Sequence, residues 1–231
     1  MNSDNYLPDA PVIDLDAQTR GQFLVRTYCH LMGAIAAFTI IEIALFKTGI
    51  AATIAEALLG TNWLLVLGGF VVVSWIARSV AHNSTSLIAQ YAALAGFVVG
   101  EAIIFVPMLY IADFRAPGVI SSAAFITLLG FGSLTLLVFS TRKDFSFMRG
   151  ILMWGGIVAL VLIAGGVIFG FQLGTFFSVA MIALAGASVL YDTSNVMLRY
   201  STDRYVAASL ELFASIALMF WYILRLLSSR R

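Results

Sequence analysis

Apolar residues in this chain come in long runs, separated by short polar stretches that carry most of the charge. A helix that crosses a membrane needs about 20 mostly apolar residues. Seven runs meet or approach that length: 24–46, 63–77, 87–111, 119–140, 150–171, 173–198 and 205–227. The second is short and ends at Arg78; the third has Pro107 near its exit. The turn at Gln172 and Gly174 is so short that the fifth and sixth runs must be antiparallel neighbours. Residues 1–22, ahead of the first run, are polar and acidic (Asp4, Asp9, Asp14, Asp16) with Pro8 and Pro11, and predict a flexible tail. They lack a basic segment followed by an apolar core, so they do not read as a cleavable signal peptide. The pattern therefore predicts an all-α integral membrane protein, with a tail over 1–22 and a seven-helix transmembrane bundle over 23–231. No internal repeat is evident, which argues against a duplicated transporter architecture.

Composition agrees. Of 231 residues, 61% are hydrophobic and 11% charged, against roughly 25% charged in a soluble domain. A net charge of +1 without a basic cluster excludes a nucleic-acid partner. The single cysteine, Cys29, rules out an internal disulfide and reads as a small buried hydrophobe. Gly96 with Gly100, and Gly166 with Gly170, are spaced for close helix packing.

Lysines and arginines give an orientation. With the N-terminus cytoplasmic, the inner side holds Arg20, Arg26, Arg78, Arg142, Lys143, Arg149, Arg199 and Arg204, and the outer loops only Lys47 and Arg115. Arg225, Arg230 and Arg231 run against this bias if the last run crosses. Either the rule fails at the tail or the last segment re-enters; the length of 205–227 favours crossing.

Charged groups inside spans are costly and tend to face the bundle interior. Asp192 lies seven residues before Arg199 and Glu211 seven after Arg204, each about 10 Å deep at 1.5 Å per residue. Two carboxylates at one depth on adjacent antiparallel helices suit a hard cation such as Ca²⁺ or a proton relay. Should the sixth span end at Tyr191, Asp192 would instead sit in the interface. Arg78 is positioned to pair with either carboxylate, or to serve as a positive-inside anchor. Ser215 lies one turn past Glu211 on the same face. Glu101 and Glu42 form an outer acidic level; Glu101 is flanked by apolar residues, and Glu42, close to Lys47, is expected to snorkel outward. His30 reads as a packed or interfacial histidine. No HExxH, cysteine cluster or nucleophile elbow occurs, so no enzymatic activity and no resident cofactor are expected. The only lysines, Lys47 and Lys143, lie at loops, which excludes a retinal-type Schiff base.

The loop TRKDFSF (141–147), the run LYDTSN (190–195) and the end YILRLL (222–227) resemble the transmembrane BAX inhibitor motif family, whose bacterial branch includes the modulator of the FtsH protease. RTYCHLMGAIAAF (26–38) is a weaker match. The resemblance covers about residues 23–227 and implies a seven-helix bundle with the last helix near its centre. It further implies a pH-sensitive Ca²⁺ leak gated by an aspartate pair on the sixth and seventh helices, beside an arginine ending the second. Asp192 matches the first aspartate and Arg78 the arginine. The second aspartate falls at Ser215, a departure that tilts the chain toward the protease-modulator branch. Glu211 becomes a stand-in for the missing carboxylate, and Asp192 with Glu211 the place where Ca²⁺ would be met. The pathway expected is therefore Asp192, Arg78, Glu211, Ser215 and Glu101, in a bacterial inner membrane. The alternative is a modulator of a membrane-bound AAA protease, acting through contacts and its N-terminal tail.

Overall fold

A computed structural model describes residues 10–229. Eight α-helices follow a short 3₁₀ turn at Val12–Asp14: α1 (Ala17–Lys47), α2 (Ile50–Leu59), α3 (Trp63–Asn83), α4 (Leu87–Arg115), α5 (Val119–Thr141), α6 (Met148–Phe169), α7 (Thr175–Leu198) and α8 (Tyr205–Ser228). All but α2 are long and apolar enough to cross a bilayer. Trp75, Phe169 and Phe176 are largely exposed on the outside of the bundle. Apolar surface on this scale has lipid as its solvent, and the chain is an integral membrane protein.

The last helix is the axis. Of the apolar window of α8, 78% is buried, against 6% for α6. Helices α1, α3, α4, α5 and α7 pack around it. Small residues explain the fit: Ala207, Ala208 and Ser209 are fully buried, letting neighbouring backbones come close. Farther along, Phe213 meets Phe38 and Phe97, with ring centroids 6.1 Å apart in both pairs. Arg225 near the end of α8 donates to the Leu173 carbonyl at 2.8 Å, in the α6–α7 connection. That connection lies at the end opposite the α7–α8 turn, so α8 crosses fully and the re-entrant alternative falls.

Several boundaries differ from the sequence pattern. The expected flexible tail is ordered from residue 10, its first nine residues lying outside the described part. Val12 is fully buried and its N–H donates to the Tyr200 carbonyl at 2.9 Å. Asp16 caps α1, accepting from the Gln18 and Thr19 amides at 2.9 and 3.0 Å. The Thr19 hydroxyl and these amides hold the Asp16 carboxyl below its ordinary value. An acidic, proline-containing stretch thus looks disordered by composition yet encodes a cap and a docking residue. Helix α2 was not anticipated. Ala51 and Ala55 bury one face of it against Val106 of α4, and Gly49, at φ +78°, makes the reversal that leads into it. Helix α3 runs to Asn83, six residues beyond the expected end, so Arg78 sits inside a helix rather than closing it. Helix α4 continues through Pro107 to Arg115. Gly170, at φ +74°, closes α6. Cys29, expected to be buried, is exposed on α1.

Candidate functional site

At the arginine-rich end of the bundle, α3, α7 and α8 enclose a cavity of about 410 Å³ lined by Arg78, His82, Tyr191, Asp192, Asn195, Tyr200, Glu211 and Ser215, among others. Helical spacing assembles it. Arg78 and His82 are four apart on α3, as Glu211 and Ser215 are on α8, so each pair shares a face. Asp192 lies within α7, which continues to Leu198, and the interfacial alternative does not hold.

The two carboxylates reach this cavity by different means. The Glu211 carboxylate is divided between two side chains of α3: Arg78 Nη1 donates to Oε2, and His82 Nε2 lies 3.0 Å from Oε1. The Glu211 side chain is 13% exposed and that of Arg78 42%, so a buried anion is tied to a half-exposed cation. The Arg78 guanidinium also lies over the Phe97 ring, 5.9 Å from its centroid, where the ring's negative face attracts it. Asp192 makes a different contact. It accepts from the Ser215 hydroxyl at 2.5 Å.

Of the two carboxylates open to Arg78, the one it meets is Glu211. Among the described residues Arg78 is bonded to Glu211, and Asp192 to Ser215. Helix α3, which carries Arg78, packs against α8, which carries Glu211. Ser215 does stand opposite Asp192, where the resemblance put a second aspartate. The pairing of Asp192 and Glu211 as ligands of one metal ion also finds no geometric support. Among the described residues no group of three His, Cys, Asp or Glu side chains is placed to hold an ion, and each Glu211 oxygen already has a contact, one to Arg78 and one to His82.

His82 and Tyr200 were missed. Ending the second helix early hid the i, i+4 relation of His82 to Arg78. Tyr200 lies in the turn after α7, its ring centroid 5.8 Å from that of His82. Burial, with Glu211 and Asp192 nearby, pushes its phenol well above the ordinary range, so the hydroxyl stays a donor.

The remaining residues lie elsewhere. Glu101 is buried in α4 and Glu42 in α1, both at 7% exposure. Glu42 does not snorkel: its carboxyl oxygens are buried without a hydrogen-bond partner. Its position, one turn past Phe38, puts it on the face that meets Phe105 and Phe213, away from the surface its stem would need to follow. His30 bridges the Arg26 carbonyl and the Tyr91 hydroxyl at 2.6 and 2.7 Å. Since a carbonyl only accepts, Nδ1 carries the proton in this bridge.

The TRKDFSF loop between α5 and α6 is docked on α7. Ser194 accepts from the Phe145 amide at 3.0 Å and donates to the Lys143 carbonyl at 3.4 Å. Arg199 donates to Asp144 at 2.8 Å, which holds that carboxyl below the usual range. Two of the motifs that carry the resemblance, TRKDFSF and LYDTSN, thus meet at one joint beside the cavity.

Known proteins resemble this chain over most of its length. A family model described as "Inhibitor of apoptosis-promoting Bax1" matches residues 20–231. An uncharacterized protein of Pseudomonas aeruginosa is 29% identical over 169 residues, covering 71% of this chain and 73% of its own. The modulator of FtsH protease YccA of Escherichia coli is 26% identical over 196 residues, covering 82% and 86%. Bax inhibitor 1 of Schizosaccharomyces pombe is 32% identical over 145 residues, covering 59% and 49%.

Proposed function

Because the chain belongs to the family of inhibitors of apoptosis-promoting Bax1, the Bax inhibitor-like membrane proteins, we propose that it is a pH-sensitive leak channel for Ca²⁺ and similar cations, gated by an intramembrane carboxylate and an arginine. The observation that carries this reading is the Arg78–Glu211–His82 contact at the wall of a polar cavity that also holds Asp192. Glu211 takes the part of the absent second aspartate, one turn from the position where the family pattern expects it.

In this reading the contact ties α3 to the central helix in the closed state. Protonation of Glu211 removes the charge that holds Arg78, and α3 is freed to move away from α8. The cation meets Asp192 and Glu211 as cargo in transit, with Ser215 orienting Asp192 and Glu101 lining the path farther along. The role is passage, without catalysis. The N-terminus lies in the cytoplasm of a bacterium, supported by the lysine and arginine bias and by a relative named an inner membrane protein. Purified protein in liposomes loaded with a Ca²⁺ indicator tests this. Flux should change markedly in both Asp192→Ala and Glu211→Ala, and a flux the same in both as in the unmodified chain would sink the proposal.

A second reading is favoured by similarity to the Escherichia coli modulator of FtsH protease across 82% of this chain. Here the protein acts on a membrane AAA protease through contacts and its N-terminal tail. Deleting residues 2–20 should then abolish its effect on protease turnover in cells, and an unchanged turnover would count against it.

A further inference from the structure

Two acids without a salt bridge among the described residues lie along one seam of the bundle, and a third, Glu211, is linked to its inner end through Arg78. On α4, Phe97, Glu101 and Phe105 are four residues apart and share a face. Phe97 meets Phe213 of α8 with ring centroids 6.1 Å apart, and Phe105 meets Phe38 of α1 at 5.3 Å. That face therefore points into the α1–α4–α8 seam, and Glu101 with it. Glu42 is one turn past Phe38, which touches both Phe105 and Phe213, so it enters the same seam from α1. Glu211, two residues before Phe213, points from another face of α8 into the cavity, and it reaches the seam through its partner Arg78, which covers the Phe97 ring. Ordered by the rings between them, the acids run from Glu211 at the cavity, past Phe97 to Glu101, and past Phe38 and Phe105 to Glu42. Lys47 and the opposite end of the bundle lie five residues beyond.

Glu42 has both oxygens buried without a hydrogen-bond partner, and no salt bridge reaches Glu42 or Glu101 among the described residues. Neither carboxyl stabilises the fold through a contact. Apolar side chains of the same volume would pack the seam at less cost, and ionisable groups in such positions commonly hold and pass protons. We propose that Glu101 and Glu42 are stations of a proton path, continuing from Glu211, by which this protein conducts H⁺ across the membrane. The proposal rests on the preceding reading for its inner station alone and does not need Ca²⁺ to pass.

Glu101 and Glu42 are about two helical turns apart in this order, roughly 11 Å along the axis, too far for direct transfer between carboxyls. Each step therefore runs through a short file of waters entering the seam. The acid O–H gives its proton to the first water, each water passes one on to the next, and the last gives one to the following carboxylate. One proton enters at Glu211 for each that leaves beyond Glu42, and no other bond changes.

The test uses the full chain in liposomes enclosing a pH-sensitive dye, with Ca²⁺ chelated and the potential clamped by potassium and valinomycin. An imposed pH step should collapse faster than in protein-free vesicles. Glu42→Gln and Glu101→Gln should each lower the protein-dependent rate at least about tenfold, the loss expected of a missing proton donor, while Glu101→Asp keeps part of it. Where a variant does not assemble, the unmodified chain is treated with an apolar carbodiimide, which adds to protonated carboxyls in apolar surroundings. An adduct on the peptide carrying Glu42 or Glu101 should appear together with loss of the flux. Proton flux no faster than in empty vesicles, full flux in both glutamine variants, or an adduct without loss of flux would each overturn the proposal. Proton flux without any Ca²⁺ flux would support it and refute the Ca²⁺ leak instead.

Discussion

Removing Arg78 is the sharpest perturbation of the cavity. Breaking a fully buried ion pair by deleting one partner costs about 3–5 kcal/mol, because the other charge is left stranded. A fully exposed pair is worth about 0–1 kcal/mol. Here the Glu211 side chain is 13% exposed and that of Arg78 42%, and His82 keeps its contact with the second carboxylate oxygen. An intermediate cost of about 2 kcal/mol follows for Arg78→Ala. If the contact exists only in the closed state, that cost moves the open–closed equilibrium by about 30-fold, at about 1.4 kcal/mol per tenfold. Ca²⁺ efflux from liposomes should rise accordingly until the open state saturates. Glu211→Gln keeps a carbonyl that accepts from Arg78 and should raise efflux less. The double variant should fall short of the sum of the two effects, since both remove one interaction. Efflux within about twofold of the original in Arg78→Ala, together with a lowered unfolding temperature, would show that the contact holds the fold and does not gate. Additive effects in the double variant would refute the coupling itself.

Other consequences can be checked separately. Ser215→Ala removes the donor from Asp192 and should destabilise the protein by about 1–2 kcal/mol, read as a lower unfolding temperature in detergent, with Ser215→Thr restoring most of it. Ser194→Ala strips the Phe145 amide of its acceptor, and about 1–3 kcal/mol of local stability should be lost, visible as faster amide exchange confined to residues 142–147. Asp144 is held below its unfolded value by Arg199, so its contribution is present above the unfolded pKa and disappears as pH falls through the lower folded one. The pair is half-exposed, so Asp144→Asn should cost under about 1 kcal/mol at neutral pH and nothing in strong acid, with salt shrinking the difference. Val12→Asp would put an unpaired charge where Val12 is fully buried and should release the N-terminal segment, seen as new proteolytic cleavage ahead of α1.

Runs of apolar residues were enough to give the class of the protein and its seven long apolar helices, because bilayer thickness and helix rise are fixed. Depth is a one-dimensional quantity, and placing Asp192 and Glu211 at one level needed nothing more. Which way a side chain points around its helix axis is set by neighbours that no local pattern names. Arg78 therefore went to Glu211 instead of Asp192, since α3 packs against α8. Three-dimensional packing likewise put Ser215 within bonding distance of Asp192. It brought His82 into the site once α3 extended past its most apolar stretch, and it turned Glu42 inward despite a nearby lysine. The acidic N-terminal segment is the same case in reverse: its composition argues for disorder, but Val12 has a burial site that exists only after α7 and α8 have formed their turn. The chain alone determined that acids lie inside the membrane; only the packing of α1, α3, α4 and α7 around α8 decided which of them find a partner and which are left without one.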